Sequence, residues 1–275
     1  MNNAQLNWNK RESRDDWGQH FEMMTARLYC TFIQPGDVVI DGGANAGMHT
    51  IPLAKRVGQS GKVIAVEPQA ECISDLRRWL AKERLTDRVD VHQGVLADKN
   101  GIEDFWINTD NNAMSARAID SHSLAISTRV EVSAYHIDEL KDDRRVGFIK
   151  LDVEGGEYHA LLGAKDTLTR DRPLIVFENG GAATASVNGY EVSDFTGLFE
   201  MCGYEVYDFM GSQVGDAQFN APDVFPWYFL AGHKTDPKLQ QAKQLCIDYF
   251  MNVPKRYADW QGVINDIYRW SKRKH

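Results

Sequence analysis

The apolar positions of the chain change period several times, and each change marks an element. Trp17, Phe21, Met24, Leu28 and Phe32 recur at three- and four-residue spacings, one stripe that predicts a helix from about Asp15 to Phe32. Pro35-Gly36-Asp37 breaks that period and turns the chain into an apolar run. From there short β-branched runs alternate with helical patterns. Strands are predicted from Val38 to Asp41, Lys62 to Glu67, Val89 to Gln93, Phe148 to Asp152 and Pro173 to Glu178, with helices from Gly47 to Val57, Ala70 to Glu83 and Tyr158 to Thr169. Nearly all-apolar strands suit a parallel sheet covered on both faces. Their alternation with helices argues for an open α/β fold with right-handed crossovers. Gly101 to Val132 departs from the pattern and reads as an insertion with short strands, including EDFWIN and TRVEVSAY. After Leu230 the pattern is helical, through Leu239, Leu245 and Tyr249 to Trp260, Ile264, Ile267 and Trp270. These side chains suit capping of the fold, a pocket wall or a homodimer, and capping is the reading favoured.

Composition narrows the function more than the fold. With 43% hydrophobic and 25% charged residues in 275, the chain has the make-up of an ordinary globular protein rather than a disordered one. A formal net charge of −8 argues against broad, non-specific nucleic-acid binding, and no nucleic-acid partner is expected. Lys272, Arg273 and Lys274 form a basic patch that reads as a solvated tail. Cys30, Cys72, Cys202 and Cys246 are widely spaced without a CxxC pair, which fits a reducing cytoplasm better than a disulfide framework or a zinc site. The polar N-terminus carries no apolar signal core, and no run approaches the roughly 20 apolar residues that span a bilayer.

The chemistry concentrates where the first buried strand ends, in VVIDGGANAGMHT, Val38 to Thr50. In open α/β sheets ligands bind outside the carboxyl ends of the strands. Glycines allow close backbone approach and positive φ, and Asn45 is among the few other residues that tolerate it. The dinucleotide spacing G-x-G-x-x-G is absent, which disfavours an NAD-dependent oxidoreductase. An acid at Asp41 would repel a pyrophosphate and suits a cationic amino-acid end instead. S-adenosylmethionine (SAM) has such an end and no phosphate. Glu67 ends the next strand a little over twenty residues beyond the glycines, about where an acid binds ribose hydroxyls. Pro52 strains a helix beginning at Gly47 unless it falls near the first turn.

On these residues the chain resembles the FkbM family of SAM-dependent methyltransferases. The stretches that carry the resemblance are VVIDGGANAGMHTIPLAKRVGQSGKVIAVEP, VDVHQGVLADKNG, FIKLDVEGGEYHALLGAKDTL and RPLIVFE, between about Gly36 and Glu178. The resemblance implies a class I methyltransferase (Rossmann-like) fold: a seven-stranded, mostly parallel sheet whose last strand is antiparallel, closed by GYEVYDFM and FPWYFLAGHK. It implies that Asp41, Gly43, Asn45 and Gly47 contact the methionine part of SAM and Glu67 the ribose. It places Asp98 where such enzymes often meet the adenine, although an Asp in ADKNG also serves as a turn former. The implied organisation is an N-terminal helical segment (1–35), a methyltransferase domain (36–235) and a C-terminal helical extension (236–275).

Methyl transfer from a sulfonium requires an aligned acceptor, exclusion of water and a destination for the acceptor's proton. Asp152 and Glu154 follow a central strand, and two close carboxylates raise one another's pKa toward a base-like value. Glu157 reads instead as a solvent-facing acid in the first turn of a helix. His49, just past the loop, is a second base candidate, with a packed core histidine as the plainer reading. Asp152, Glu178 and Asn179 end two neighbouring strands and offer three oxygen ligands to Mg²⁺, a metal hypothesis resting on spacing alone. The expected activity is O-methylation of a hydroxyl on a sugar, glycan or secondary metabolite, by an enzyme acting on a small-molecule or glycan acceptor. The alternatives are N-methylation of a small molecule or peptide, and a non-catalytic SAM-binding partner subunit.

Overall fold

The computed structural model describes residues 14–108, 116, 127–221, 226–252 and 260–271. The stripe of the first helix becomes α1 (Arg14–Phe32), followed by β1 (Val38–Gly42), α2 (Thr50–Arg56), β2 (Lys62–Glu67), α3 (Ala70–Glu83) and β3 (Val89–Gln93). Next come β4 (Val95–Leu96), β5 (Gly101–Asn108), β6 (Ser127–Tyr135), the short α4 (Ile137–Leu140) and β7 (Val146–Leu151). The chain continues through α5 (Glu157–Leu162), α6 (Lys165–Arg170), β8 (Leu174–Glu178), α7 (Ala182–Val187), α8 (Val192–Met201) and β9 (Tyr204–Asp208). It closes with α9 (Asp216–Phe219), β10 (Tyr228–His233), α10 (Pro237–Met251) and α11 (Trp260–Ser271). Lys272, Arg273 and Lys274, and the side chains of Trp260 and Trp270, lie outside the described residues.

Seven strands form one sheet in the order β3-β2-β1-β7-β8-β10-β9. β1, β2, β3, β7 and β8 run parallel, and β10 lies antiparallel to both β8 and β9. This is the class I methyltransferase sheet, with β1 and β7 side by side at its centre, where the strand order reverses. Successive residues of a strand face opposite layers. Val39 thus packs with α1, α2, α3, α10 and α11 residues in one core, and Val38 and Ile40 pack with α5, α6 and α8 residues in the other. Among the described residues no helix is long and apolar enough to cross a membrane.

Several elements differ from their sequence expectation. The α1 helix is buried nearly all round rather than along one stripe, because α10 and α11 cover its outer side. α2 starts at Thr50 rather than Gly47, so Pro52 is its third residue, where a missing N–H leaves no helical bond unmade. The helix expected from Tyr158 to Thr169 is two helices, α5 and α6, separated at Gly163. The insertion is a second, three-stranded sheet in the order β4-β6-β5, with its own small core of Val95, Ala97, Phe105, Val132 and Ala134.

Candidate functional site

The loop between β1 and α2 is built by crowding. Gly43 has φ 72°, and a Cβ there would lie 1.8 Å from the carbonyl oxygen of Asp152, so only glycine lets β1 and β7 meet at their ends. The N–H groups of Gly43 and Ala44 both donate to the Val66 carbonyl (3.0 and 3.1 Å), which ties the loop to β2. Asn45 adopts φ 46° and donates its N–H to Glu67 Oε2 (2.9 Å), while Glu67 Oε1 accepts from the Gln69 N–H (3.0 Å). Burial pushes the Glu67 carboxyl up, against the pull of these two N–H groups.

A cavity of about 480 Å³ opens at the carboxyl ends of β1, β2 and β7. Its walls are the loop from Gly43 to Ala46, the acid of Glu67 and the apolar side chains of Val66, Val95 and Leu96. Phe105 enters from the second sheet and Ile264 from α11. The remaining wall carries Glu22 of α1, His49, Lys150, Asp152 and Glu154. The volume and the mixture of apolar walls with a few convergent polar groups are those of a small-molecule or cofactor site.

Lys150 organises the charges. It is buried on β7, and its Nζ donates to the carbonyls of Gly43 (3.1 Å) and Gly42 (3.4 Å). The same nitrogen lies 3.4 Å from Asp152 Oδ2 and 3.8 Å from Asp41 Oδ1. Burial disfavours its charge, but Asp152, Asp41 and Glu22 outweigh that and hold its pKa above the ordinary lysine range. Glu154 sits at φ 51°, a strained position for a residue with a side chain, held between β7 and α5. Its side chain is exposed at the cavity wall. Desolvation, Asp152 and Glu157 together push its carboxyl up to about 8. Desolvation and the charges of Asp152, Glu154 and Glu22 push Glu178 up strongly as well.

The structure brings together Gly43, Asn45, Glu67, His49, Asp152 and Glu154 around the cavity and leaves other expected residues outside its lining. Asp41 is 0% exposed and stands behind the wall: Oδ2 accepts from the Thr50 hydroxyl (2.6 Å) and Oδ1 faces Lys150. Gly47 packs behind the loop, where a Cβ would meet Leu76 at 2.6 Å. Asp98 is exposed and away from the lining. His49 has both ring nitrogens engaged, Nε2 by Glu22 Oε2 (2.7 Å) and Nδ1 by the Tyr29 hydroxyl (3.3 Å), and neither is free to take an acceptor's proton.

The magnesium hypothesis does not fit the donor set. Asn179 is buried with Oδ1 accepting from the Gly181 N–H (2.7 Å) and Nδ2 donating to Tyr190 (3.5 Å). Asp152 already lies beside the cation of Lys150. Among the described residues no group of three or more His, Cys, Asp or Glu side chains is arranged to hold a metal. Glu157 also corrects its expectation. It is 1% exposed, folded back so that Oε1 accepts from the N–H groups of Val153 (3.1 Å) and Gly155 (3.3 Å), and desolvation raises its carboxyl to about 7. The sequence reading also missed Glu22, Lys150, Phe105 and Tyr228, and favoured capping for Ile264, which lines the cavity. Only Lys150 left a visible mark, as the one cation inside the apolar run FIKL.

A central sheet of this order, with a glycine loop after β1, an acid at the end of β2 and a cavity above both, defines a class I methyltransferase. Residues 41–206, more than half of the chain, match the Methyltransferase FkbM domain, and the chain belongs to that family. The family implies SAM as methyl donor. Among solved structures, the chain is similar to the methyltransferase FkbM from Methylobacillus flagellatus KT, at 18% identity and a TM-score of 0.46. That match covers 74% of this chain and 48% of the other, so the chain spans about half the length of that protein. It is also similar to a SAM-dependent O-methyltransferase from Thermotoga maritima, at 16% identity over 86% of this chain and 72% of that one, with a TM-score of 0.43. An O-methyltransferase from Bacillus cereus, in complex with SAH, matches at 15% identity over 84% and 87% of the two chains, with a TM-score of 0.42. No curated protein matches the sequence.

Proposed function

We propose that the protein transfers the methyl group of SAM to a hydroxyl of a sugar, glycan or secondary metabolite. The observation that carries this reading is the placing of Asp152 and Glu154 at the end of β7, both lining the cavity beside the Gly43 loop. Two carboxylates at that point give a hydroxyl a hydrogen-bond acceptor and a destination for its proton; an amine acceptor has less need of either.

The residues present fit SAM. Gly43 brings bare backbone to the cavity wall, and Glu67, fixed by two N–H groups, keeps lone pairs for ribose hydroxyls. Val95, Leu96 and Phe105 supply an apolar slot for a purine. SAM, when bound, supplies an electrophilic methyl group and a neutral thioether leaving group. Glu154, its carboxyl raised to about 8, ionises more readily beside a bound cation. Asp152, partly neutralised by Lys150, then orients the acceptor hydroxyl while Glu154 receives its proton. Phe105 of the second sheet and Ile264 of α11 complete the walls of the cavity. In this reading the widely spaced free cysteines suit a reducing cytoplasm.

The test is transfer of labelled methyl from SAM to a panel of monosaccharides, glycans, phenols, amines and RNA, with wild type and Glu154→Gln. Base-stable label in a hydroxyl acceptor, lowered about 10²-fold or more in the variant, is the expected result. Label confined to amines or RNA, or full activity in Glu154→Gln, contradicts it.

A further inference from the structure

Asp41, the acid expected at the cationic end of SAM, does not reach the cavity, and the acids that do line it are the candidates for that role. Four acids line the cavity: Glu22, Glu67, Asp152 and Glu154. Glu67 stands at the ribose position on β2. Glu22 comes from α1, outside the residues matched by the family, and is brought in by packing rather than by the loop. Phe21, next to it, stacks on Tyr228 with ring centroids 5.5 Å apart and lies edge-on to Trp227 at 4.9 Å, which fixes that turn of α1 against β10.

The Tyr228 hydroxyl lies between two carboxylates, 3.0 Å from Glu22 Oε1 and 3.5 Å from Asp152 Oδ2. A phenol has one hydrogen. Donated along the shorter contact, it serves Glu22 and turns an oxygen lone pair toward Asp152. Asp152 Oδ2 then has Lys150 at 3.4 Å as its remaining donor, and Glu22 has His49 at 2.7 Å. Anions gathered this closely in a walled cavity call for a further cation, and a primary ammonium, with three N–H donors, can serve both carboxylates at once.

We propose that Glu22, held beside Asp152 by the Tyr228 hydroxyl, binds the ammonium of the cofactor's amino-acid end, so that α1 completes the cofactor site. This rests on the SAM reading above. It makes the N-terminal helix part of the binding machinery rather than a cover, and gives Tyr228 the task of orienting the Glu22 carboxylate.

The test is calorimetric titration of wild type, Glu22→Gln and Tyr228→Phe with SAM, SAH and 5′-methylthioadenosine, which keeps the nucleoside but lacks the amino acid. Glu22→Gln should weaken SAM and SAH about tenfold or more, the loss of one charge-assisted bond, and leave methylthioadenosine within about twofold. Tyr228→Phe, which keeps the ring that packs on Phe21, should weaken SAM and SAH in the same direction by a smaller factor, also sparing methylthioadenosine. Equal losses for all three ligands would show a displaced helix and overturn the assignment. Unchanged SAM affinity in Tyr228→Phe or in a folded Glu22→Gln would overturn it too. If wild type binds none of the three, the SAM reading itself fails, and this assignment with it.

Discussion

Gly43 is the residue on which the loop geometry turns. Alanine there must accept a positive φ and place its Cβ 1.8 Å from a backbone oxygen that cannot move without pulling β7. Gly43→Ala should lose SAM binding by calorimetry and cost at least about 2 kcal/mol in urea unfolding, from strain and overpacking together. A variant of wild-type stability that still binds SAM would contradict the proposed backbone approach. Glu157 makes a second residue-scale prediction. Its folded carboxyl is raised from an ordinary 4.5 to about 7, so the folded state binds the proton more tightly than the unfolded chain. Its contribution is therefore fully present below about pH 4.5 and is lost as the pH rises to about 7. Glu157→Gln removes that titration, and its unfolding free energy should fall less steeply than wild type's between pH 5 and 7. Parallel stability curves would contradict this account of Glu157.

At the scale of elements, periodicity gave β1, β2, β3, β7, β8, α1 and α3 to within about two residues at each end, because their apolar runs answer to one sheet. β2 and α3 fall where their patterns put them. What stayed hidden was set by contacts distant in sequence. The break between α5 and α6 follows from Gly163, where a Cβ would lie 2.1 Å from the Ala97 carbonyl oxygen, a contact no local pattern encodes. The late start of α2 reflects a loop held by β2 through Val66. The helix α1 reads as amphipathic, yet it is buried between the sheet and two C-terminal helices. Phe21 is its anchor, 0% exposed and packed against Phe209, Trp227, Tyr228 and Phe250. Phe21→Ala should destabilise the whole protein by about 3–5 kcal/mol in urea unfolding. A loss under about 1 kcal/mol would show that α1 is peripheral after all.

For the molecule as a whole, the alternation of strand and helix gave the fold class, and the loop VVIDGGANAGMHT gave the location of the cavity. The chemistry of the site was legible only in part. Asn45, Glu67, Asp152 and Glu154 announce themselves at strand ends, where ligands bind. Asp41 sits at such an end too, but the pleat of β1 turns it inward to Thr50 and Lys150. Glu22 and Tyr228 come from opposite ends of the chain and meet only because α1 lies on β10. The central claim is that this acidic, glycine-lipped cavity holds SAM. Calorimetric titration of the wild-type protein with SAM and SAH, and with NAD as a control, tests it most directly. Saturable binding of both sulfur nucleosides, and no heat from NAD, is the result predicted. Silence from SAM and SAH, or tighter binding of NAD, would contradict it.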